Sequence, residues 1–359
     1  MRIDKVDENF KEIAYTDTDD GRRYDVPCKF FDLYGVFYDS AAGRFMRMDA
    51  GVADRVSEGV SYLAKNTSGG RLRFSTNSGT IGISATYSSL CAMSHMPLTG
   101  SSGFILLEKT ACGYKHVATF CPRYEDKTGY TGKVVLKTKT KREYVLYFPL
   151  YNDLMGLSVF LDKDAELYEP QKYRDIKPIL YYGASIDQGA CASRPDSTYP
   201  ALISKWNDID FINLCFSGNC KGEPLMAEYL TGIDCSLAFF AYDGNAPTEK
   251  FLEDTHYKFY ETYRKVVKDV PVVFMSVPCY DCYTDYREAD RRREIINGSC
   301  LKARKNGDNN VYFIDGKYLF DTEDREICTV EGVHPTDLGF YRIAKNVYKT
   351  LGEIDIKFL

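Results

Sequence analysis

The chain has 359 residues, which is the length of about two domains. Hydrophobic residues make up 44% of it, aromatic residues 14% and charged residues 27%, and this composition excludes a disordered or collagen-like protein. Because 51 acidic residues outnumber 46 basic ones and the net charge is -5, the basic surface of a nucleic-acid-binding protein is also excluded. No apolar run approaches the ~18 residues of a membrane span, so no membrane partner is expected.

The first 170 residues predict β-structure. In Thr80–Tyr87 apolar residues alternate with small polar ones, which puts Ile81, Ile83 and Ala85 on one face. The other predicted strands, separated by short polar turns, are Leu72–Phe74, Gly103–Glu108, His116–Phe120, Gly132–Lys137, Glu143–Leu150 and Leu157–Leu161. No helix is predicted between them, so we expect a jelly-roll-like antiparallel β-sandwich over residues 1–170.

After the polar stretch Asp162–Lys177 the predicted strands alternate with helices, which favours a parallel sheet covered on both faces over residues 171–359. The predicted strands are Ile179–Tyr182, Asp210–Cys215, Cys235–Tyr242, Val272–Val277 and Val311–Asp315. The predicted helices are Thr198–Trp206, Met226–Leu230, Thr248–Val267, Asp285–Lys305 and Asp337–Leu351. Thr248 is a candidate N-cap, and we interpret Arg291–Arg293, which acids flank, as a solvated helix face.

Cysteines and histidines limit the available chemistry. The 12 cysteines are spread along the chain, so reduced and mostly buried thiols are expected. The pair Cys279-x-x-Cys282 looks like half a zinc site, but no second pair stands at a matching distance, and we expect no metal or other cofactor. The four histidines are His95, His116, His256 and His334.

Chemistry-bearing residues follow four of the predicted strands. Ser185 follows the first, Gly218 the second, Asn245 the third, and Glu331 and His334 lie between the last strand and the final helix. Because ligands of an open α/β sheet bind outside the carboxyl ends of its strands, we expect these residues to converge at one edge.

This set of residues matches what acyl transfer needs. A serine hydroxyl is a weak nucleophile unless a base such as His334 removes its proton. A carboxylate must orient that histidine, and Glu331 stands three residues before it. The backbone N–H groups of Ser185 and Gly218 and the side-chain amide of Asn245 are candidate donors to an oxyanion.

Four segments resemble the ordered blocks of the SGNH (GDSL-like) hydrolases: GASIDQG, NLCFSGN, YDGNAPT and EGVHPTDLGF. Two further phrases, CASRPDSTYP and NAPTEKFLEDTH, resemble the subgroup that carries an N-terminal β-sandwich domain. The resemblance implies a flavodoxin-like hydrolase domain after the sandwich. The segment Gly103–Leu107 is similar to the GFDLY-like sequence of that sandwich, and Tyr147–Asn152 to its linking strand.

The resemblance implies that Ser185 is the nucleophile, His334 the base, and Gly218 and Asn245 parts of the oxyanion hole together with the Ser185 N–H. Two positions depart from the family: Glu331 stands where the family has aspartate, and Asp187 where it has threonine. Glu331 can still serve as the third triad residue.

Two further residues are candidate substrate-binding groups. Asp187 either caps the helix that follows Ser185 or disfavours anionic substrates. Arg194 either contacts substrate or holds its own loop in place.

Three functions stay open. The first is a serine esterase that removes a small acyl group, acetyl in first place, from a small-molecule or carbohydrate ester. The second is an acyltransferase with the same triad, and the third is a carbohydrate-binding protein with a vestigial hydrolase domain.

A homo-oligomer is compatible with the sequence. A cytoplasmic location is expected if Met1 is the true start, since the N-terminal sequence MRIDKVDENF carries no secretory signal.

Overall fold

Antiparallel sheets form the first half of the chain and a parallel sheet forms the second, in a computed structural model that describes residues 21–278 and 286–353. The N-terminal strands are β1 (Arg22–Val26), β2 (Asp32–Tyr34), β3 (Phe37–Asp39), β4 (Arg44–Met46), β5 (Arg71–Thr76), β6 (Thr80–Thr86), β7 (Phe104–Thr110), β8 (Gly113–Phe120), β9 (Gly129–Val135), β10 (Arg142–Tyr147), β11 (Gly156–Leu161) and β12 (Leu167–Tyr168). One sheet has the order β1-β11-β6-β9 and another the order β12-β5-β10-β7-β8, with β2 also paired to β5.

Side chains from both of these sheets form a single hydrophobic cluster. Strand β6 contributes Ile81, Ile83 and Ala85, the face that the alternation predicts, and β5 contributes Leu72 and Phe74. The antiparallel sandwich predicted from the sequence is therefore confirmed.

Three helices also lie in the N-terminal half, so the prediction that no helix interrupts the strands is wrong. They are α1 (Ala50–Val56), α2 (Glu58–Leu63) and α3 (Leu98–Ser101). With 7, 6 and 4 residues they are too short to show a helical repeat. Helices α1 and α2 begin at the capping side chains of Asp49 and Ser57, which accept hydrogen bonds from the N–H groups of Val52 and Val60.

The C-terminal half is built as predicted. Its strands are β13 (Ile179–Gly183), β14 (Phe211–Asn213), β15 (Leu237–Ala241), β16 (Val272–Met275) and β17 (Val311–Ile314). Its helices are α4 (Ser185–Gln188), α5 (Tyr199–Asn207), α6 (Pro224–Leu230), α7 (Glu249–Val266), α8 (Tyr286–Lys305) and α9 (Asp337–Glu353). The parallel order β14-β13-β15-β16-β17 is flavodoxin-like, and Thr248 caps α7 by accepting the Phe251 N–H at 3.1 Å.

Strand β5 lies between the two halves, and both of its faces are buried. Its apolar residues point into the sandwich, whereas Arg71 and Arg73 face the C-terminal domain. Arg71 pairs with Asp210, and an Arg73 nitrogen lies 2.8 Å from Asp208 Oδ1. These interdomain ion pairs hold β5 against the segment that leads into β14.

The boundary at residue 170 stays a prediction, and it lies between Tyr168, where β12 ends, and Ile179, where β13 begins. Among residues 21–278 and 286–353 no helix is long and apolar enough to cross a bilayer. The cysteines within these ranges are free thiols, and the pair Cys279 and Cys282 lies outside the described residues.

Candidate active site

Ser185 lies where β13 ends and α4 begins, at the carboxyl edge of the parallel sheet. The turn is tight: a Cβ on Gly183 would meet Asp187 Oδ2 at 2.4 Å, so this position requires glycine. Ser185 is 9% exposed, and the residues of α4 that follow it are buried.

His334 connects Ser185 to Glu331. Its Nε2 lies 2.8 Å from Ser185 Oγ, and its Nδ1 lies 2.7 Å from Glu331 Oε1. Because a carboxylate only accepts hydrogen bonds, the Nδ1–H of His334 donates to Glu331. The unprotonated Nε2 is then free to accept the proton of the Ser185 hydroxyl. The backbone N–H of His334 donates to the same Glu331 oxygen at 2.9 Å, so the longer arm of glutamate still reaches the imidazole.

The environment keeps Glu331 charged. Burial alone would raise the pKa of Glu331, but the hydrogen bonds that His334 donates and its electrostatic attraction outweigh burial, so the pKa lies below its usual value. Cys191 Sγ lies 3.9 Å from Glu331 Oε2, and burial together with that carboxylate raises the pKa of the Cys191 thiol to about 12. Cys191, Glu331 and His334 carry potential metal-ligand atoms within 4.8 Å of one another. His334 is hydrogen-bonded to Glu331 and Ser185, and the Cys191 thiol is protonated. This arrangement fits proton transfer better than metal binding.

The Gly218 loop follows β14, the strand beside β13. Gly218 has φ +70°, a conformation that side chains rarely adopt. Its neighbours tie the loop to α4, since the Ser217 N–H donates to Gln188 Oε1 at 2.9 Å. The Asn219 amide closes the loop by donating to the Ser217 carbonyl at 2.8 Å.

Asn245 follows β15, on the other side of β13. Its Nδ2 donates to the Phe216 carbonyl at 3.3 Å, which joins the two loops and leaves the second hydrogen of that amide for another acceptor. The Arg292 guanidinium holds this turn by donating to the carbonyls of Asp243 at 2.6 Å and Ala246 at 3.1 Å. Arg292 is buried, so the solvated-face interpretation of Arg291–Arg293 is wrong at its central residue.

Asp187 caps α4. Its Oδ2 accepts the Ala184 N–H at 2.8 Å, and its Oδ1 accepts the Tyr199 hydroxyl at 2.5 Å. The carboxyl is buried, and desolvation raises its pKa to about 7. With both oxygens engaged, Asp187 is positioned to hold the start of the helix and is not available to contact a substrate.

Arg194 lies beside Asp196, with 3.0 Å between its Nη2 and Asp196 Oδ2. Lys205 pairs with the same buried carboxylate oxygen at 2.8 Å. This arrangement is the loop-holding one of the two predicted for Arg194, and substrate contact by its half-exposed side chain stays a prediction.

The N-terminal domain adds three neighbours that sequence reasoning missed. The rings of His95 and His334 have centroids 6.2 Å apart, and the Tyr151 hydroxyl lies 3.4 Å from the Ser185 carbonyl oxygen. Buried Arg47 donates to the Cys215 carbonyl, just before the Gly218 loop, at 2.8 Å. Arg47 and His95 stand in no motif, and Tyr151 lies in the segment Tyr147–Asn152, which the sequence assigned only to the linking strand.

The hydrogen-bonded serine, imidazole and carboxylate, with loop amides on both sides, define a class: serine-dependent acyl hydrolases. Residues 176–352 match the GDSL-like lipase/acylhydrolase family, and residues 24–167 match the N-terminus of SGNH-hydrolase-type esterases. The chain therefore belongs to the SGNH/GDSL-type serine esterases, in the subgroup with an N-terminal β-sandwich domain. No curated protein was found to match it.

Solved structures share both domains. A protein described as a GDSL-like lipase, from Bacteroides ovatus ATCC 8483, is 27% identical with a TM-score of 0.83, over 93% of this chain and 98% of that one. The salicylyl-acyltransferase SsfX3 from a tetracycline biosynthetic pathway is 18% identical with a TM-score of 0.77, over 94% and 98%. The acetyl xylan esterase Est2A from the rumen bacterium Butyrivibrio proteoclasticus is 12% identical with a TM-score of 0.58, over 94% and 99%. At 18% and 12% identity, the last two structures show that they share the fold of this chain.

Proposed function

We propose that this chain hydrolyses small acyl esters, acetyl esters in particular, of hydroxylated substrates such as carbohydrates. The observation that carries the proposal is the continuous hydrogen-bonded chain from Ser185 Oγ through His334 to Glu331, with distances of 2.8 and 2.7 Å. Each member has the partner that its chemical task requires.

In the proposed reaction, Ser185 Oγ attacks the ester carbonyl while its proton passes to His334 Nε2, and Glu331 stabilises the resulting imidazolium. The N–H groups of Ser185 and Gly218 and the Asn245 amide donate to the oxyanion, each such donor contributing about 3 kcal/mol. His334 then gives its proton to the leaving alcohol oxygen as the carbon–oxygen bond breaks. Water, deprotonated by His334, attacks the acyl-enzyme, and His334 returns that proton to Ser185 Oγ as the acyl carbon–oxygen bond breaks and the acid leaves.

The substrate class has separate support. An acetyl xylan esterase, whose name gives acetyl as the acyl group and a polysaccharide as the alcohol, has the same two-domain fold.

A second candidate function is acyl transfer to an alcohol. It is favoured by the salicylyl-acyltransferase, whose structure superposes with a TM-score of 0.77 over 94% of this chain. Both reactions pass through the same acyl-enzyme and differ only in whether water or an alcohol reaches it. A vestigial hydrolase domain is less consistent with a site in which Ser185 and His334 are both present and hydrogen-bonded.

The test is a panel of p-nitrophenyl esters from acetate to octanoate, measured with the wild type and with Ser185→Ala. We expect the acetate to give the highest kcat/KM and Ser185→Ala to lose at least about 10⁴-fold. Ser236→Ala is a matched control, because Ser236 precedes β15 and therefore lies at the opposite edge of the sheet. Equal rates for Ser185→Ala and the wild type would overturn the proposal, and an acylated alcohol formed in preference to free acid would favour the acyltransferase.

A further inference from the structure

A cavity of about 390 Å³ lies beside the candidate active site, and every residue that lines it belongs to the N-terminal domain. Helix α2 and the residues after it form one wall, and the segments 88–92 and 151–153 form the others. Its volume is within the range of pockets that bind small ligands.

Three contacts connect this cavity to the reacting groups. Tyr151 lines it and places its hydroxyl 3.4 Å from the Ser185 carbonyl oxygen. Asn66 lines it and accepts a hydrogen bond at 3.2 Å from Gln188, the residue whose other amide atom holds the Gly218 loop. Helix α2 packs against that loop, since a Cβ on Gly59 would meet the Asn219 side chain at 2.0 Å. The cavity is therefore connected to Ser185 through Tyr151 and to the Gly218 loop through Asn66 and Gln188.

The lining combines polar and apolar groups in nearly equal measure, as a sugar does with its hydroxyls and its ring faces. Side-chain hydroxyls and amides line the cavity, and the Asn152 Nδ2 is buried with no hydrogen-bond partner within residues 21–278 and 286–353. The Tyr62 side chain, 65% exposed, offers an aromatic face at the rim. An acyl chain would need an apolar lining, whereas a sugar needs hydroxyl and amide partners and an aromatic face. The cavity thus fits the alcohol part of the ester.

The charge of the cavity narrows the class of sugar that it fits. Arg44 lies 3.0 Å from Asp153, and Ser88 donates to the same carboxylate, so these two charges neutralise each other. Lys65 also lines the cavity and has no acidic partner in the described part of the chain. The cavity therefore carries one uncompensated positive charge, in a protein whose net charge is -5.

We propose that this cavity binds the alcohol part of the substrate, and that this part is a sugar acid whose carboxylate pairs with Lys65. The inference rests on the proposed esterase function and names the alcohol on which it acts. The N-terminal domain thereby selects the substrate, while the C-terminal domain performs the chemistry.

The test compares methyl glucuronoside with methyl glucoside, both acetylated at the same ring hydroxyl, so that they differ only at C6, where one has a carboxylate and the other a hydroxymethyl group. Methyl acetate serves as an ester too small to fill the cavity. We expect the wild type to prefer the glucuronoside by about ten-fold in kcat/KM, which is the effect of one charge-assisted hydrogen bond. Lys65→Gln should abolish this preference by raising KM for the glucuronoside. The matched control Lys137→Gln, at a lysine beyond the end of β9, should keep it.

A second variant tests the cavity without touching Lys65. Ser89→Trp, which places a large ring in the cavity, should lower kcat/KM for both sugar esters relative to methyl acetate by at least about ten-fold. Equal kcat/KM for the two sugar esters in the wild type, an unchanged preference in Lys65→Gln, or unchanged ratios in Ser89→Trp would each overturn the inference. Methyl acetate hydrolysis that depends on Ser185 would leave the proposed function standing in those cases, whereas no hydrolysis of any ester would remove both.

Discussion

The two domains contribute different kinds of residue to the candidate active site. The C-terminal domain supplies the hydroxyl of Ser185, the imidazole of His334 and the carboxylate of Glu331, on loops at the sheet edge. The N-terminal domain supplies the groups around them, such as buried Arg47 beneath the Gly218 loop and Tyr151 beside the nucleophile.

Because of this difference, substitutions in the two domains should affect the catalytic rate and the folding stability separately. Glu331 is 41% exposed and stands three residues from His334, so removing its charge disturbs little of the folded structure. Arg47 is fully buried and contacts carbonyls 166 and 168 residues further along the chain. A change at Glu331 should therefore alter catalysis with little effect on stability, whereas a change at Arg47 should alter the stability of the whole interface.

The largest expected effect is that of Glu331→Gln on the rate. Glutamine is uncharged and cannot stabilise the imidazolium of His334, so kcat should fall by about 10³- to 10⁴-fold. The free energy of unfolding should change by less than about 0.5 kcal/mol, because the side chain lies near the surface. Steady-state kinetics on p-nitrophenyl acetate and urea unfolding of the same protein preparations measure the two quantities.

Glu326→Gln is the control for that experiment, since it removes an exposed carboxylate a short distance before Glu331 in the same connection. It should leave kcat within about two-fold of the wild type. If Glu331→Gln retained more than a tenth of the wild-type kcat, the Glu331 carboxylate would not be the third member of a triad.

Arg47→Met should have the largest effect on stability. Burial lowers the pKa of Arg47 to about 10, which still leaves the guanidinium charged at neutral pH. It donates to the carbonyls of Leu63, Asn213 and Cys215, and methionine would leave these acceptors without a donor. The free energy of unfolding should fall by about 3 to 5 kcal/mol, measured by urea unfolding.

Arg55→Met provides the comparison for that variant, because Arg55 lies exposed on α1 and donates to the Gly51 carbonyl one turn earlier. Its effect should stay below about 0.5 kcal/mol. Similar losses in the two variants would show that the buried contacts of Arg47 do not support the interface.

The fold was predictable wherever elements were long enough to show a period. Helix α7 shows one over 18 residues and has its cap at Thr248, and β6 shows clean alternation. The short elements before residue 71 were missed: α1 and α2 span 7 and 6 residues, and β2, β3 and β4 span three each. Such segments take their structure from contacts with distant residues, and a local pattern does not encode those contacts.

The same distinction applies to the site. Ser185, Gly218 and Asn245 were predictable because each lies in the loop or turn after a strand, and the topology of an open α/β sheet brings those strand ends together. Arg292 was misread because flanking acids indicate solvent, whereas the guanidinium reaches the Asp243 carbonyl 49 residues away. Arg47 gave no signal, since its partners become neighbours only when the two domains pack.

Asp187→Asn should have an effect on stability that depends on pH. Burial raises the pKa of Asp187 from its ordinary 3.8 to about 7, so the folded protein holds a proton that the unfolded chain loses above pH 3.8. The stability that this proton contributes is complete below pH 3.8 and is lost as the pH rises toward 7. Asparagine does not titrate, so the wild type should lose thermal stability relative to Asp187→Asn between pH 4 and 7 and no further above pH 8.

Unfolding temperatures of both proteins at pH 4, 5.5, 7 and 8 measure this effect, and their difference removes the titration of every other group that the two proteins share. Asp269→Asn, at an exposed aspartate, should show no such trend. Asp187→Asn also loses one of the two oxygens that accept from the Ala184 N–H and the Tyr199 hydroxyl. This loss shifts the unfolding temperature by an amount that does not vary with pH. A difference that stays constant from pH 4 to 8 would mean that the carboxyl ionises freely in the folded protein, and the capping site beneath Ser185 would then be open to water.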